Sequence, residues 1–224
     1  MRNTRLLSLV AGAALVVAVP GLHADTDRLK NAETVLTEMA GSQDKGIPGD
    51  LIKQARCVVV VPGVKKAALG IGGQYGRGYM SCRRTGSTAG AWSAPAGVRI
   101  EGGSVGFQIG GSETDVILIV RNQSGVDRLL SSKFTVGADA SVAAGPIGRQ
   151  ASAQTDATMR AEMLAYSHAR GVFAGIALQG ATLREDSDEN KELYGSAKTN
   201  REIVTGTVAV PAAAKSFIAA LSKY

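Results

Sequence analysis

Between Cys57 and Val120 the chain is strand-like and loaded with glycine, and this middle stretch decides the fold class. "KKAALGIGGQYGRGYMSCRR" at Lys65–Arg84 holds Gly70, Gly72, Gly73, Gly76 and Gly78 between a lysine pair and an arginine pair. "AWSAPAGVRI" and "SVGFQIGG" continue the alternation of residue types, separated by turn signals. "TDVILIVRN" is rich in β-branched residues and reads as a strand. "CVVVVPG" reads as a buried strand stopped by Pro62-Gly63. Glycine at this density disfavours helix and suits bent, closely packed strands.

Helical spacing lies towards the two ends. Leu29, Ala32, Val35, Leu36 and Met39 give Thr26–Met39 one apolar face. Asp50 can cap a short helix through Ala55. Gly125–Leu130 reads as a short helix, "KFTVGADASVAAGPIGR" as extended chain, and "AYSHARGVFAGIALQGATLRED" as two strands around Gly171. Helices are expected again at Asp188–Tyr194 and Pro211–Leu221, where Pro211 sits in a first turn that tolerates it. No fixed-period repeat or linker divides the chain. The expected class is therefore α+β: a glycine-rich, mainly antiparallel sheet or barrel-like core flanked by N- and C-terminal helices.

Residues 1–24 read as a secretory signal peptide. Arg2 and Arg5 precede an apolar run at Leu6–Val19, Pro20-Gly21 breaks it, and "LHA" ends in a small residue at Ala24. The run is shorter than the roughly 20 residues of a membrane span. Residues 25–224 then form one exported domain, placed in the periplasm or on the periplasmic face of a membrane. The full chain carries a net charge of +6, and loss of the two arginines leaves +4. That modest excess suits an anionic surface without the bias of a nucleic-acid binder. In an oxidising compartment Cys57 and Cys82 form either one disulfide or two buried thiols on neighbouring strands.

Familiar chemical motifs fail at identifiable positions. A dinucleotide fingerprint starting at Gly70 meets Tyr75 where its third glycine belongs. A P-loop fails because Tyr79 and Met80 follow Gly78. "GGSVG" at Gly102–Gly106 fits G-x-S-x-G, and Ser104 with His168 would make a serine hydrolase; a helix must follow, but Gly110-Gly111 oppose one. "DSDEN" at Asp186–Asn190 imitates a calcium loop, yet Lys191 and Ala197 stand where glycine and glutamate are required, so it reads as a solvated acidic turn capping the next helix. No zinc spacing is present, and no metal or cofactor is expected. What remains is a basic set for anionic head groups, Lys65, Lys66, Arg77, Arg83 and Arg84, with possible insertion of the amphipathic Thr26–Met39 helix. The alternative is a solvated surface and a helix that only caps the core.

The order of segments resembles the SYLF domain family. "IPGDLIKQARCVVVVPGVKKAALGIGGQYGRGYM" is similar to its opening, "GAWSAPAGVRIEGGSVGFQIGGSETDVILIV" to its middle, and "GADASVAAGPIGR" with "YSHARGVFAGIALQGATLREDSDENKELYG" to its second half. The resemblance implies a single glycine-rich α+β domain without enzymatic activity. It implies partners among phosphoinositide-rich membranes and, for some members, actin. An exported stand-alone member would meet other anionic phospholipids, through the N-terminal helix and chiefly Lys65, Lys66 and Arg77. A second expectation is an envelope interaction protein that binds a protein or cell-wall polymer.

Overall fold

The computed structural model describes residues 21–41, 46–84, 90–148, 160–169, 172–174, 178 and 180–224. Helix α1 spans Gly21–Gly41 and α2 Gly49–Gln54. Two long strands follow, β1 at Cys57–Cys82 and β2 at Ala96–Val120. Next come α3 (Gln123–Leu129), β3 (Lys133–Thr135), β4 (Val142–Ala144), β5 (Met163–Ala169), β6 (Val172–Ala174) and β7 (Thr182–Glu185). The chain closes with α4 (Ser187–Tyr194), α5 (Asn200–Thr205), a 3-10 turn at Ala212–Ala214 and α6 (Lys215–Leu221). The α+β reading stands, with a curled half-barrel sheet at its centre. Among the described residues, no helix is long and apolar enough to cross a membrane.

Strand β2 organises the sheet. Antiparallel β1 lies along it from Cys57 opposite Val120 to Met80 opposite Ala96. On the other edge, Val98–Glu101 pairs with β7 and Asp115–Val120 with β5, both antiparallel. The sheet order is β3-β7-β2-β5-β4, with β1 paired to β2 and β6 to β5 off this path, and among the named strands described the β4–β5 pairing is the parallel one. Pro62-Gly63 does not end β1, contrary to expectation. The ladder shifts there between Val61 and Val64, and Gly63 takes φ +56°. A proline without an N–H and a left-handed glycine form a bulge that bends the strand without stopping it.

The bend folds β1 back over itself. A Cβ on Gly78 would lie 2.1 Å from the Val60 carbonyl oxygen and 2.7 Å from the Val61 Cα. Only glycine permits two backbones to cross that closely. Gly76 and Gly78 thus serve close strand packing, as the glycine-rich context suggests, whereas Gly73 has its nearest neighbour 3.9 Å from an added Cβ.

Alternation of side chains splits the core into two layers. Val59, Val61, Met80, Val98, Ile100 and Leu118 fill the inside of the curl. Val58, Val60, Ile117 and Ile119 face outward under α1 and α6. Leu29, Ala32, Val35, Leu36 and Met39 of α1 are all buried in this outer layer. Of the two readings of this apolar face, possible membrane insertion or a cap on the core, the structure shows it covering the core. Helix α5 is an element the sequence reading missed, although its capping box is written in Thr199 and Glu202.

Candidate functional site

The five candidate cations do not share one face. Lys65 stands opposite Glu113 on the β1–β2 ladder and Lys66 opposite Ser112, so the two lysines project to opposite sides of the ribbon. Lys65 is exposed, and its ammonium has no ion-pair partner among the described residues. Lys66 is half-buried, and that burial lowers its pKa. A groove of about 570 Å³ between α1 and β1 brings Lys65 beside Tyr75, Arg77 and Arg28, with Glu113 and Asp115 on its wall.

Arg77 is already matched. Its Nε donates to Asp186 Oδ2 at 2.5 Å and its Nη2 to Asp186 Oδ1 at 2.8 Å. The same Nη2 lies 3.2 Å from Glu189 Oε2. Arg28 of α1 and the Tyr79 hydroxyl also donate to Glu189. Both carboxylates are almost fully buried. The Asp186 hydrogen bond, outweighing burial, holds the Arg77 pKa above the ordinary arginine value. Burial pushes the Asp186 carboxyl up, but the hydrogen bond and charge of Arg77 prevail and leave it below its usual range.

Asp186 does cap α4, accepting from the Glu189 N–H at 3.3 Å. The expected solvated acidic turn is instead a buried clamp joining α1, β1 and α4. The sequence signal was present, since acids at a cap and at the third helical position also suit a buried arginine, but burial itself leaves no local mark.

Arg83 and Arg84 lie at the closed end of the ribbon. The Arg83 guanidinium sits 4.1 Å above the Trp92 ring and donates to the Gly90 carbonyl at 2.5 Å. Burial lowers its pKa. Arg84 donates through Nη2 to the Val208 carbonyl at 3.1 Å. Cys57 and Cys82 next to them form the disulfide, which settles the choice between bridge and thiols.

Ser104 occupies a position inside β2, opposite Gly72, with strand on both sides. A nucleophile elbow requires a strand-to-helix turn. His168 of β5 instead stands opposite Asp115, Nδ1 to Oδ2 at 3.9 Å, and Asp115 lies eleven residues beyond Ser104 along β2. The G-x-S-x-G match is therefore glycine-rich strand. Among the described residues, no group of three or more His, Cys, Asp or Glu could hold a metal ion.

The chain resembles several known proteins over most of its length. The chain is 36% identical over 194 residues to an SH3 domain-containing protein of Schizosaccharomyces pombe, covering 83% of this chain and 44% of that protein. It is 32% identical over 174 residues to Protein YSC84 of Saccharomyces cerevisiae, covering 76% of this chain and 36% of the relative. With SH3 domain-containing YSC84-like protein 1 of Rattus norvegicus it shares 30% identity over 201 residues, 87% of this chain and 58% of the relative. The chain thus spans less than two thirds of the length of each of these relatives. The family model for Ysc84, described as Las17-binding protein actin regulator, matches residues 101–224, and the chain belongs to this family, the SYLF family that its sequence resembles.

Proposed function

We propose that the protein is a non-enzymatic lipid-binding domain of the cell envelope that engages anionic phospholipid. The observation that carries this reading is the middle of the β1–β2 ribbon beyond Lys65 and Lys66. Among the described residues, no other strand pairs with β2 between Gly102 and Thr114. Register sets Leu69 opposite Ile109 and Ile71 opposite Val105 in that stretch, directly beyond Lys65 and Lys66. Lys65 and Lys66 at the base of this two-stranded ribbon suit anionic head groups. Residues 1–24, read as a signal peptide, support an envelope location.

Flotation with vesicles that contain or lack anionic lipid tests the reading. Binding is expected to require anionic lipid and to weaken in high salt, where the screening length falls from about 10 Å to about 3 Å. A Lys65→Ala/Lys66→Ala variant should bind less. Binding indifferent to lipid charge, salt and this variant overturns the electrostatic reading.

A second reading has support from the relatives, several of which are named as Las17-binding or SH3 domain-containing proteins. The domain would then hold a protein partner. One stoichiometric protein in a pull-down, without vesicle binding, would favour it.

A further inference from the structure

Three pairings in the sheet place four cations in one row. Arg77 of β1 is opposite Arg99 of β2, Arg99 is opposite Arg184 of β7, and Arg184 is opposite Lys133 of β3. Directly paired residues share a face of the sheet. That face is the outer one. Arg99 lies between buried Val98 and Ile100, Arg184 follows buried Leu183, and Lys133 precedes buried Phe134. With strands about 4.8 Å apart, the row is about 14 Å long.

Like charges directly opposite destabilise a sheet, so such a row calls for anions. The protein supplies some of them. Asp186 matches Arg77, and Glu101 lies 2.8 Å from Arg99 Nε and 3.6 Å from Arg184 Nε. Lys133 is exposed, and its ammonium has no ion-pair partner among the described residues. The row keeps a positive excess after these pairings.

The neighbouring row adds hydroxyls. Tyr75 is opposite Glu101, Glu101 opposite Thr182, and Thr182 opposite Thr135. Guanidinium and ammonium groups beside hydroxyl donors suit phosphate oxygens. Tyr75 is 51% exposed and also lines the groove that holds Lys65, so this face continues into that groove. An exposed tyrosine beside a basic row fits the membrane interface, where one end of the ring is apolar and the other wet.

We propose that the outer face carrying Arg99, Arg184 and Lys133 is the surface that docks on anionic phospholipid head groups. This proposal rests on the lipid reading above and assigns it a second, larger contact that sequence order conceals. Arg77 contributes charge to the row but is chiefly tied to Asp186.

The test uses the full domain and vesicles of phosphatidylcholine with or without phosphatidylglycerol. Arg184→Gln/Lys133→Gln is expected to lower partitioning onto the anionic vesicles by about tenfold or more. Its circular dichroism and thermal midpoint should match the wild type. Arg184→Lys keeps the charge and should bind within about twofold of the wild type. Wild-type vesicle binding that survives Arg184→Gln/Lys133→Gln but is lost in Lys65→Ala/Lys66→Ala overturns this proposal and leaves the lipid reading standing. Loss of binding in Arg184→Lys as well overturns the charge argument. No vesicle binding by the wild type overturns both. Row-dependent binding of a polyglutamate peptide, with vesicle binding unaffected by the row variants, replaces the membrane with an acidic protein partner.

Discussion

Cys57 and Cys82 stand at opposite ends of the same strand, and their Cα atoms are 3.9 Å apart. A straight strand of 26 residues would span about 85 Å. The ribbon therefore turns until its ends meet, and two contacts fasten the closure: the disulfide and the hydrogen bond from the Arg83 N–H to the Arg56 carbonyl at 2.7 Å. Cross-linking a loop of this length removes about 3 kcal/mol of unfolded-chain entropy. Cys57→Ser/Cys82→Ser should lose that amount in urea unfolding while keeping its far-ultraviolet spectrum. An unchanged midpoint would show that the hydrogen-bonded ends close without the bridge.

The crossing of the two arms of β1 makes Gly78 the least replaceable residue of the glycine-rich stretch. The atoms that a Cβ would strike belong to the backbone of Val60 and Val61, so no rotamer change relieves the clash. Gly78→Ala is expected to cost about 3 kcal/mol or more, or to prevent folding. Gly73 is the control, since its nearest atom to an added Cβ is 3.9 Å away. Gly73→Ala should express and melt within about 1 kcal/mol of the wild type. Equal tolerance at both positions would contradict the crossing.

This contrast marks what the sequence could and could not reveal. The density of glycine announced bent strands, and the spacing of Leu29, Ala32, Val35, Leu36 and Met39 announced a helix with one buried face. Neither told which glycine lies under a crossing backbone, because Val60 and Gly78 meet only through the bend at Pro62-Gly63. Of the residues proposed to meet anionic lipid, Lys65 and Lys66 were legible as a pair because they are neighbours in sequence. Arg99, Lys133 and Arg184 become one row through strand order, which no local spacing encodes. Arg77 looked like its exposed neighbours because its buried partner lies 109 residues away.

Arg77 and Asp186 give the protein a pH signature. The Asp186 carboxyl is held below its ordinary value in the folded state. Its contribution to stability is therefore present above the unfolded carboxylate pKa of about 3.9 and lost as pH falls through the folded value. Arg77→Met removes the partner of Asp186 and leaves both carboxylates buried, Glu189 with Arg28 and the Tyr79 hydroxyl and Asp186 with only the more distant charge of Arg99. The expected cost at neutral pH is about 3 kcal/mol or more. Without Arg77, burial raises the Asp186 pKa, so protonation relieves the variant as acid is added. The gap between wild-type and variant thermal midpoints should be widest at neutral pH and close as pH falls through the carboxylate range. A gap constant with pH would mean that Arg77 acts through packing of its aliphatic stem.

Helix α1 decides between a core cover and a detachable anchor. Leu36 is fully buried in the outer core layer, and Arg28 one face over is held by Glu189. If α1 stays in place when the protein meets a membrane, Leu36→Ala acts only on folding. The expected loss is 2–5 kcal/mol, roughly the range for a leucine removed from a packed core. Vesicle affinity per folded molecule should then equal that of the wild type. If α1 instead leaves the sheet to insert, destabilising its packing makes release easier, and the same substitution would alter affinity as well as stability. Measuring both in one variant separates the cases: a lower urea midpoint with unchanged partitioning of folded protein fixes α1 as cover, and leaves membrane contact to the ribbon and the basic outer face.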